Sequence, residues 1–250
     1  MVALMIVLGI DVGGSSLKGA PVDTETGKLV LPAVALPTPQ PATPAAVAKV
    51  ACTLASRFDT GGAVGFGLPS VIREGVVYTA ANIDKSWIGS DGAQLFGTAL
   101  GRRCVLLNDA DAAGLAEMRL GAGRGLKGTV IVLTLGTGIG SAVFTDGVLL
   151  ANTEFGHIIM HGVDAETLAS GRARVQRNLS WEQWAAALNE YLDYLQRLFW
   201  PGTFILCGGV TENYREFARL LKSPARILPG ELKLEGGIVG AALAAAESMT

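Results

Sequence analysis

Two carboxylates stand where apolar runs end, and their surroundings suggest what each could do. Asp11 follows the run Leu4 to Ile10 and leads directly into Val12-Gly13-Gly14-Ser15-Ser16. A charge at the end of a buried strand is costly unless something pairs with it. A carboxylate beside a turn of glycines and hydroxyls is the arrangement expected to hold Mg²⁺, directly or through water, next to a phosphate. Asp109 lies in Leu106-Leu107-Asn108-Asp109-Ala110-Asp111, between an apolar strand and the start of a helix. Asn108 or Asp109 would cap that helix, and Asp111 in its first turn would complement the helix dipole. Capping leaves a carboxylate free to take the proton of an attacking hydroxyl, so Asp109 reads as a general base.

Three times a buried strand runs out into glycines: Gly13-Gly14-Ser15-Ser16, Gly136-Thr137-Gly138-Ile139-Gly140-Ser141 and Gly208-Gly209-Val210-Thr211. Turns without Cβ atoms let backbone N–H groups approach an anion, and the neighbouring hydroxyls add donors. One such turn could equally serve a hairpin or a bulge. Three at strand ends predict phosphate binding, with Lys18 facing the phosphates at the first. The second is not a dinucleotide fingerprint, because its spacing differs and a strand rather than a helix follows. A further group, Glu154-Phe155-Gly156-His157 with Glu166 beyond it, mixes donors and acceptors as vicinal hydroxyls require. A structural role for that histidine is an equal alternative on composition alone.

The elements that must position these groups follow from patterning. Leu4 to Ile10 reads as a strand, Gly13 to Gly19 as a turn, and Ala20–Val22 with Leu29–Leu36 as an antiparallel ribbon around the turn Asp23 to Gly27. Pro37 to Pro44 reads as a loop. Thr43 as N-cap and Pro44 at the first position open a helix with Val47, Val50, Ala51, Leu54 and Phe58 on one face. Gly62 to Leu68 and Val105 to Leu107 read as strands, and Asp111 to Leu120 as a helix. Thr129 to Leu135 then repeats the opening pattern: strand, glycine turn, and further strands at Ser141–Phe144 and Val148–Leu150. Ser180 and Gln183 form a capping box for a helix to Phe199, with Trp184, Leu188, Tyr191, Leu195 and Leu198 at helical spacing. Trp181 and Trp184 read as core. Thr203 to Cys207 is a strand and Gly237 to Glu247 a closing helix.

Composition limits the alternatives. Half of the 250 residues are hydrophobic, 17% are charged and 33 are glycine, which predicts a packed enzyme rather than a disordered chain. A formal charge of −2 gives no global attraction to nucleic acid or to an anionic membrane. Cys52, Cys104 and Cys207 are odd in number and far apart, which predicts reduced thiols in a cytoplasmic setting. The apolar opening lacks the basic leading segment and cleavage site of a signal peptide and reads as a buried strand.

The stretches Gly9-Ile10-Asp11-Val12-Gly13-Gly14 with Lys18-Gly19, Ala81-Asn82-Ile83-Asp84-Lys85-Ser86-Trp87, Asn108 to Gly114, Leu135 to Ser141, Glu154 to His157 and Gly208 to Val210 carry a resemblance. The chain resembles the ROK sugar kinases of the actin-like ATPase fold, and within them the polyphosphate glucokinases, over nearly its whole length. The resemblance implies two similar α/β domains: residues 1–107 with the first phosphate loop, joined by a closing helix at 236–250, and residues 108–235 with the second loop and the sugar-binding residues. It implies phosphoryl transfer from polyphosphate or ATP, with Mg²⁺, to the 6-hydroxyl of glucose, with Asp109 as base. Asn82, Asn108, Asp109, Glu154, His157 and Glu166 would then hold the sugar. Asp11, Gly13, Gly14, Ser15, Ser16, Lys18, Thr137, Gly138, Gly208 and Gly209 would hold phosphates, and a homodimer is expected.

Many ROK proteins place a cysteine cluster for zinc soon after Glu-Xaa-Gly-His, whereas Ile158 to Arg177 contains no cysteine, so no zinc is expected here. That departure removes the usual means of orienting His157. A polyphosphate chain needs cations beyond the triphosphate site, and Lys18, Lys85, Arg119, Arg124 and Lys127 are the sequence candidates. The alternatives are an ATP-only hexokinase acting on glucose, mannose or fructose, a non-catalytic sugar-sensing ROK protein, and a filament-forming or chaperone-like ATPase. A DNA-reading helix-turn-helix would stand ahead of the first strand, where this sequence leaves no room for it.

Overall fold

The computed structural model describes residues 5–81 and 83–249; Leu4 and Asn82 lie outside the described residues. In chain order the elements begin with β1 (Ile6–Val12), β2 (Ser16–Asp23), β3 (Val34–Pro37), α1 (Pro44–Ala55), β4 (Val64–Leu68), β5 (Ile72–Arg73) and β6 (Val76–Val77). They continue with α2 (Gly92–Leu100), β7 (Cys104–Asn108), α3 (Asp109–Leu120), β8 (Thr129–Leu135), β9 (Ile139–Thr145) and β10 (Val148–Leu150). The rest are β11 (Ile159–Met160), β12 (Val163–Asp164), α4 (Glu166–Ala169), α5 (Gly171–Gln176), α6 (Trp181–Phe199), β13 (Thr203–Cys207), α7 (Tyr214–Phe217), β14 (Arg226–Pro229) and α8 (Gly236–Glu247). They form two compact units, Met1–Ala116 with Glu235–Thr250, and Glu117–Leu234. The sequence reading divides the chain at 107/108; the units divide within α3, whose first turns belong with β4 and α8.

The first unit holds a sheet in the order β3-β2-β1-β4-β7. Its first three strands are antiparallel, and β1, β4 and β7 run parallel. β1 is buried along nearly its whole length because both faces are covered, as its apolar run requires. On one side α8 lies so close that a Cβ at Gly65 would stand 1.8 Å from the Ala241 carbonyl oxygen, and one at Gly240 would stand 1.7 Å from that of Ala112. Only glycine permits that approach. Another cluster gathers Leu54 of α1, Phe96 of α2 and Trp87, with Phe66 and Phe96 stacked at 4.0 Å between centroids. Thr43 caps α1 as expected, its hydroxyl accepting from Ala46 N–H at 3.4 Å.

The second unit repeats the plan in the order β10-β9-β8-β13-β14. Three strands are antiparallel, then β8, β13 and β14 parallel. Its core sets Ile131, Leu133, Phe204 and Leu206 with Trp184, Leu188, Tyr191 and Leu195 of α6. The Ser180–Gln183 capping box is present. Leu198, expected on the apolar face of α6, is 64% exposed. It falls in the i, i+4 row of Glu190 and Tyr194, at the edge of the arc that buries Leu188, Leu192 and Leu195. At the far end of α3 the buried carboxylate of Glu117 accepts N–H bonds from Ala122 (3.0 Å), Glu231 (3.1 Å) and Leu232 (2.9 Å). Among the described residues no helix is long and apolar enough to cross a membrane. The three cysteines are free thiols.

Candidate functional site

In the first unit the three parallel strands carry their chemistry at their C-terminal ends. Asp11 near the end of β1 pairs in register with Gly67 of β4, and Leu68 pairs with Asn108 of β7. A Cβ built on Gly67 would lie 3.5 Å from Asp109 Cα and 3.8 Å from Asp109 Cβ. Gly67 is thus the bare spot between the two carboxylates. The Asp11 carboxyl is pushed up to about 7, by burial first and then by the negative charge of Asp109, with Lys18 working in the opposite direction. Burial also raises Asp109, against stabilising hydrogen bonds from the Ala110 and Asp109 backbone.

Asn108 fixes where Asp109 points. Its Oδ1 accepts from the N–H groups of Ala110 (2.8 Å) and Asp111 (3.1 Å), and its Nδ2 donates to Ser70 O at 3.1 Å. Asp109 Oδ1 accepts from Ala110 N–H at 2.8 Å, so one carboxylate oxygen is anchored. The helix therefore starts at Asp109, two residues before the sequence reading places it, because the Asn108 side chain satisfies its first donors.

The first glycine turn is tighter than Gly13 to Gly19. Gly13 N–H donates to Ser16 O at 3.0 Å and β2 begins at Ser16. Ser16 and Lys18 therefore belong to a strand, and Lys18 pairs directly with Asp11 across the ladder, which puts the two side chains on one face. Gly14 and Ser15 are exposed at the tip. Thr38 pins it, its hydroxyl donating to Gly13 O at 2.6 Å and its N–H to Ser15 O at 3.1 Å. Lys85 is exposed on a short turn capped by Asp84, where Trp87 is fully buried and donates from Nε1 to Ala42 O at 2.9 Å.

In the second unit the other two glycine turns lie side by side. β8 and β13 are parallel neighbours, and a Cβ at Gly208 would stand 2.7 Å from Leu135 O. Gly208 also has φ of 88°, in the region that favours glycine. Thr137 is the exposed tip of a turn closed by Gly136 N–H to Gly138 O at 3.0 Å. Glu166, opening α4, bonds this turn: its Oε2 accepts from Ile139 N–H at 3.2 Å and would stand 2.2 Å from a Cβ at Gly138. A side chain at 138 would push that carboxylate off its bond to Ile139 N–H.

Glu154 and His157 lie on a short turn fixed to β9. Buried Ser141 donates from Oγ to Thr153 O at 2.8 Å and accepts from Phe155 N–H at 3.1 Å, and a Cβ at Gly156 would strike Ile139 O at 2.3 Å. His157 Nδ1 is 2.9 Å from Asp164 Oδ2, while its Nε2 lies 3.9 Å from Glu154 Oε2. Asp164 thus supplies the orienting partner the sequence reading lacks. Its hydrogen bond holds the imidazole pKa above the ordinary value, partly offset by burial and reinforced by the charges of Glu166, Asp164 and Glu154. Asp164 has a sequence signal, its place just ahead of Glu166, but only the short β11–β12 hairpin brings it to the ring.

Arg124 and Lys127 are exposed ahead of β8, whereas Gly136 follows it. The seven residues of β8 separate them from the second glycine turn by about 20 Å at ~3.3 Å per residue. Arg119 ends α3. Among the described residues no group of three or more His, Cys, Asp and Glu is arranged to hold a metal ion.

The family model for the ROK family matches residues 7–175. A protein of Mycobacterium tuberculosis named polyphosphate glucokinase is 44% identical over 243 residues, covering 97% of this chain and 92% of that protein. The structure of an inorganic polyphosphate/ATP-glucomannokinase from Arthrobacter superposes with a TM-score of 0.93 at 45% identity, covering 97% of this chain and 99% of the other. A ROK family glucokinase from Streptomyces griseus, solved with glucose and AMPPNP, gives a TM-score of 0.81 at 27% identity, covering 95% and 98%. With two sheets of the same order and this likeness along its length, the chain has the actin-like ATPase fold and belongs to the ROK family.

Proposed function

We propose that this protein is a glucokinase that transfers a phosphoryl group from inorganic polyphosphate, and also from ATP, to the 6-hydroxyl of glucose. The observation that carries the reading is the 44% identity to a polyphosphate glucokinase along 97% of the chain, and the local geometry is what such a reaction requires. Asp109 is the general base: one oxygen is held by Ala110 N–H, and the raised basicity of a buried carboxylate suits it to take the hydroxyl proton as the oxygen attacks phosphorus. Glu154, His157 and Glu166 hold sugar hydroxyls, with Asp164 keeping the imidazole in place through Nδ1. The glycine turns at 13–16, 136–138 and 208–209 hold donor phosphates.

Asp11 fits a magnesium ion. Two carboxylates flank Gly67 with Lys18 as the compensating cation, and a divalent ion held by Asp11 would replace the proton that burial, and then the charge of Asp109, favour. When bound it neutralises charge on the donor phosphates. Supporting surface for a homodimer is found at the end of α6, where Leu198 and Trp200 are 64% and 77% exposed; light scattering of the purified chain tests it.

The test of function compares initial rates of glucose 6-phosphate formation with long-chain polyphosphate and with ATP. A rate with both is expected. A rate with ATP alone would leave an ATP-dependent hexokinase, and a rate with neither would refute the reading.

A further inference from the structure

Helix α5 sits against both glycine turns of the second unit. A Cβ on Gly171 would lie 3.3 Å from Gly136 O, 3.3 Å from Leu135 O and 3.4 Å from Val210 Cβ, and Arg172 N–H donates to Gly136 O at 2.9 Å. The helix and its cap then present Arg172, Arg174 and Arg177. Among the described residues no carboxylate lies within 4.0 Å of any of these three guanidinium groups. The neighbouring acid, Glu166, is bonded to Ile139 N–H.

Arg174 is held ready. Its guanidinium lies over the Trp181 ring, 3.5 Å from the centroid, and Trp181 in turn stacks on Phe217 and meets Trp184 edge-on. Its Nε is buried and has no hydrogen-bond partner. The buried Nε is closed to a ligand, but a planar guanidinium fixed by stacking on Trp181 holds its terminal nitrogens in one orientation, which suits binding of phosphate oxygens. Arg172 and Arg177 are exposed and about 7.5 Å apart along the helix axis. Arg174 and Arg177, three residues apart, share a side of the helix while Arg172 leaves from the other side, so the spread exceeds what a single phosphate needs and suits a polyanion that passes round the short helix.

We propose that Arg172, Arg174 and Arg177 form the cationic strip that binds the tail of an inorganic polyphosphate beyond the phosphates held at the glycine turns, favouring the polymer over a nucleoside triphosphate. This rests on the kinase reading above and replaces cations at the opposite end of β8 with three at the turns themselves.

The test uses the full chain carrying Arg172→Gln with Arg177→Gln, and separately Arg174→Lys, which keeps the charge but loses the flat stacked fork. Initial rates are measured with long-chain polyphosphate and with ATP at saturating glucose, and polymer binding is measured by calorimetry without glucose. Losing charge-assisted bonds should raise KM and Kd for polyphosphate about tenfold or more in the double variant. KM for ATP should rise less than about threefold, and the steep salt dependence of polymer binding should flatten. An unchanged polymer KM in a chain that uses polyphosphate overturns the strip alone, as does an equal rise for both donors. If the unmodified chain has no rate with polyphosphate, the donor reading fails as well, and the two failures are thereby told apart.

Discussion

Replacing Asp109 with Asn separates what its carboxylate does as a base from what it does as a structural group. Asn can still accept the Ala110 N–H bond now made at 2.8 Å, and Asn108 still caps α3 through Ala110 and Asp111, so the helix start is preserved. What disappears is the capacity to take a proton. General-base catalysis contributes about 10²–10⁴ in rate, so kcat should fall by that factor, equivalent to about 2.7–5.4 kcal/mol of barrier. The substitution also removes a negative charge that raises Asp11, so the fold should not be weakened at neutral pH. The assay is steady-state kinetics with each donor, with glucose affinity by calorimetry and a melting curve on the same protein. A kcat within about threefold of the original would refute the assignment of the base. So would a loss of glucose affinity large enough to account for the whole fall in kcat/KM.

Three other outcomes follow from the same geometry. Asp164→Asn keeps an acceptor for His157 Nδ1–H but removes the charge that makes this bond raise His157; the His157 titration midpoint, one of only two histidine signals in the NMR spectrum, should move down, and KM for glucose should rise up to about tenfold for the lost charge assistance while kcat changes less. Glu117→Ala strips the acceptor from three N–H groups, at about 1–3 kcal/mol for each donor left buried; a melting temperature lower by less than about 5 °C would mean those donors find other partners. The folded-state pKa of Asp11 is about 7 against 3.8, so the folded chain keeps this proton more tightly than the unfolded one and the aspartate costs stability as pH rises between those values. The melting temperature of Asp11→Asn minus that of the original, without added metal, should therefore grow from about pH 4 to about pH 7 and level off above; a flat difference would refute the raised pKa.

Much of the framework was legible without coordinates. β8, β10 and β13 have the bounds that their apolar runs and flanking residues indicate, and α1 and α6 start directly after Thr43 and Ser180, whose side-chain caps are written locally. The glycine turns, Asp11 and Asp109 stood out because charge and glycine at the end of a buried strand conflict with strand formation unless they serve something else. The β5–β6 hairpin and α2 were missed, although Asp91 and Gly101 mark the ends of α2. Its short apolar content gives little periodicity, and it is held by stacking of Phe96 on Phe66 from β4.

Proximity is what the sequence by itself left open. Asp11 and Asp109 face each other because the order β1-β4-β7 puts Gly67 between them. His157 finds Asp164 through a hairpin, and Arg172 reaches the Gly136 turn through a helix that also touches the Gly208 turn. Residue types and local spacing determine which element forms and which group ends it, since caps, turns and periodicity act over a few residues. Which ends meet depends on strand order and on close packing between distant segments, and these fix the charge, burial and hydrogen bonds that set each group's chemistry.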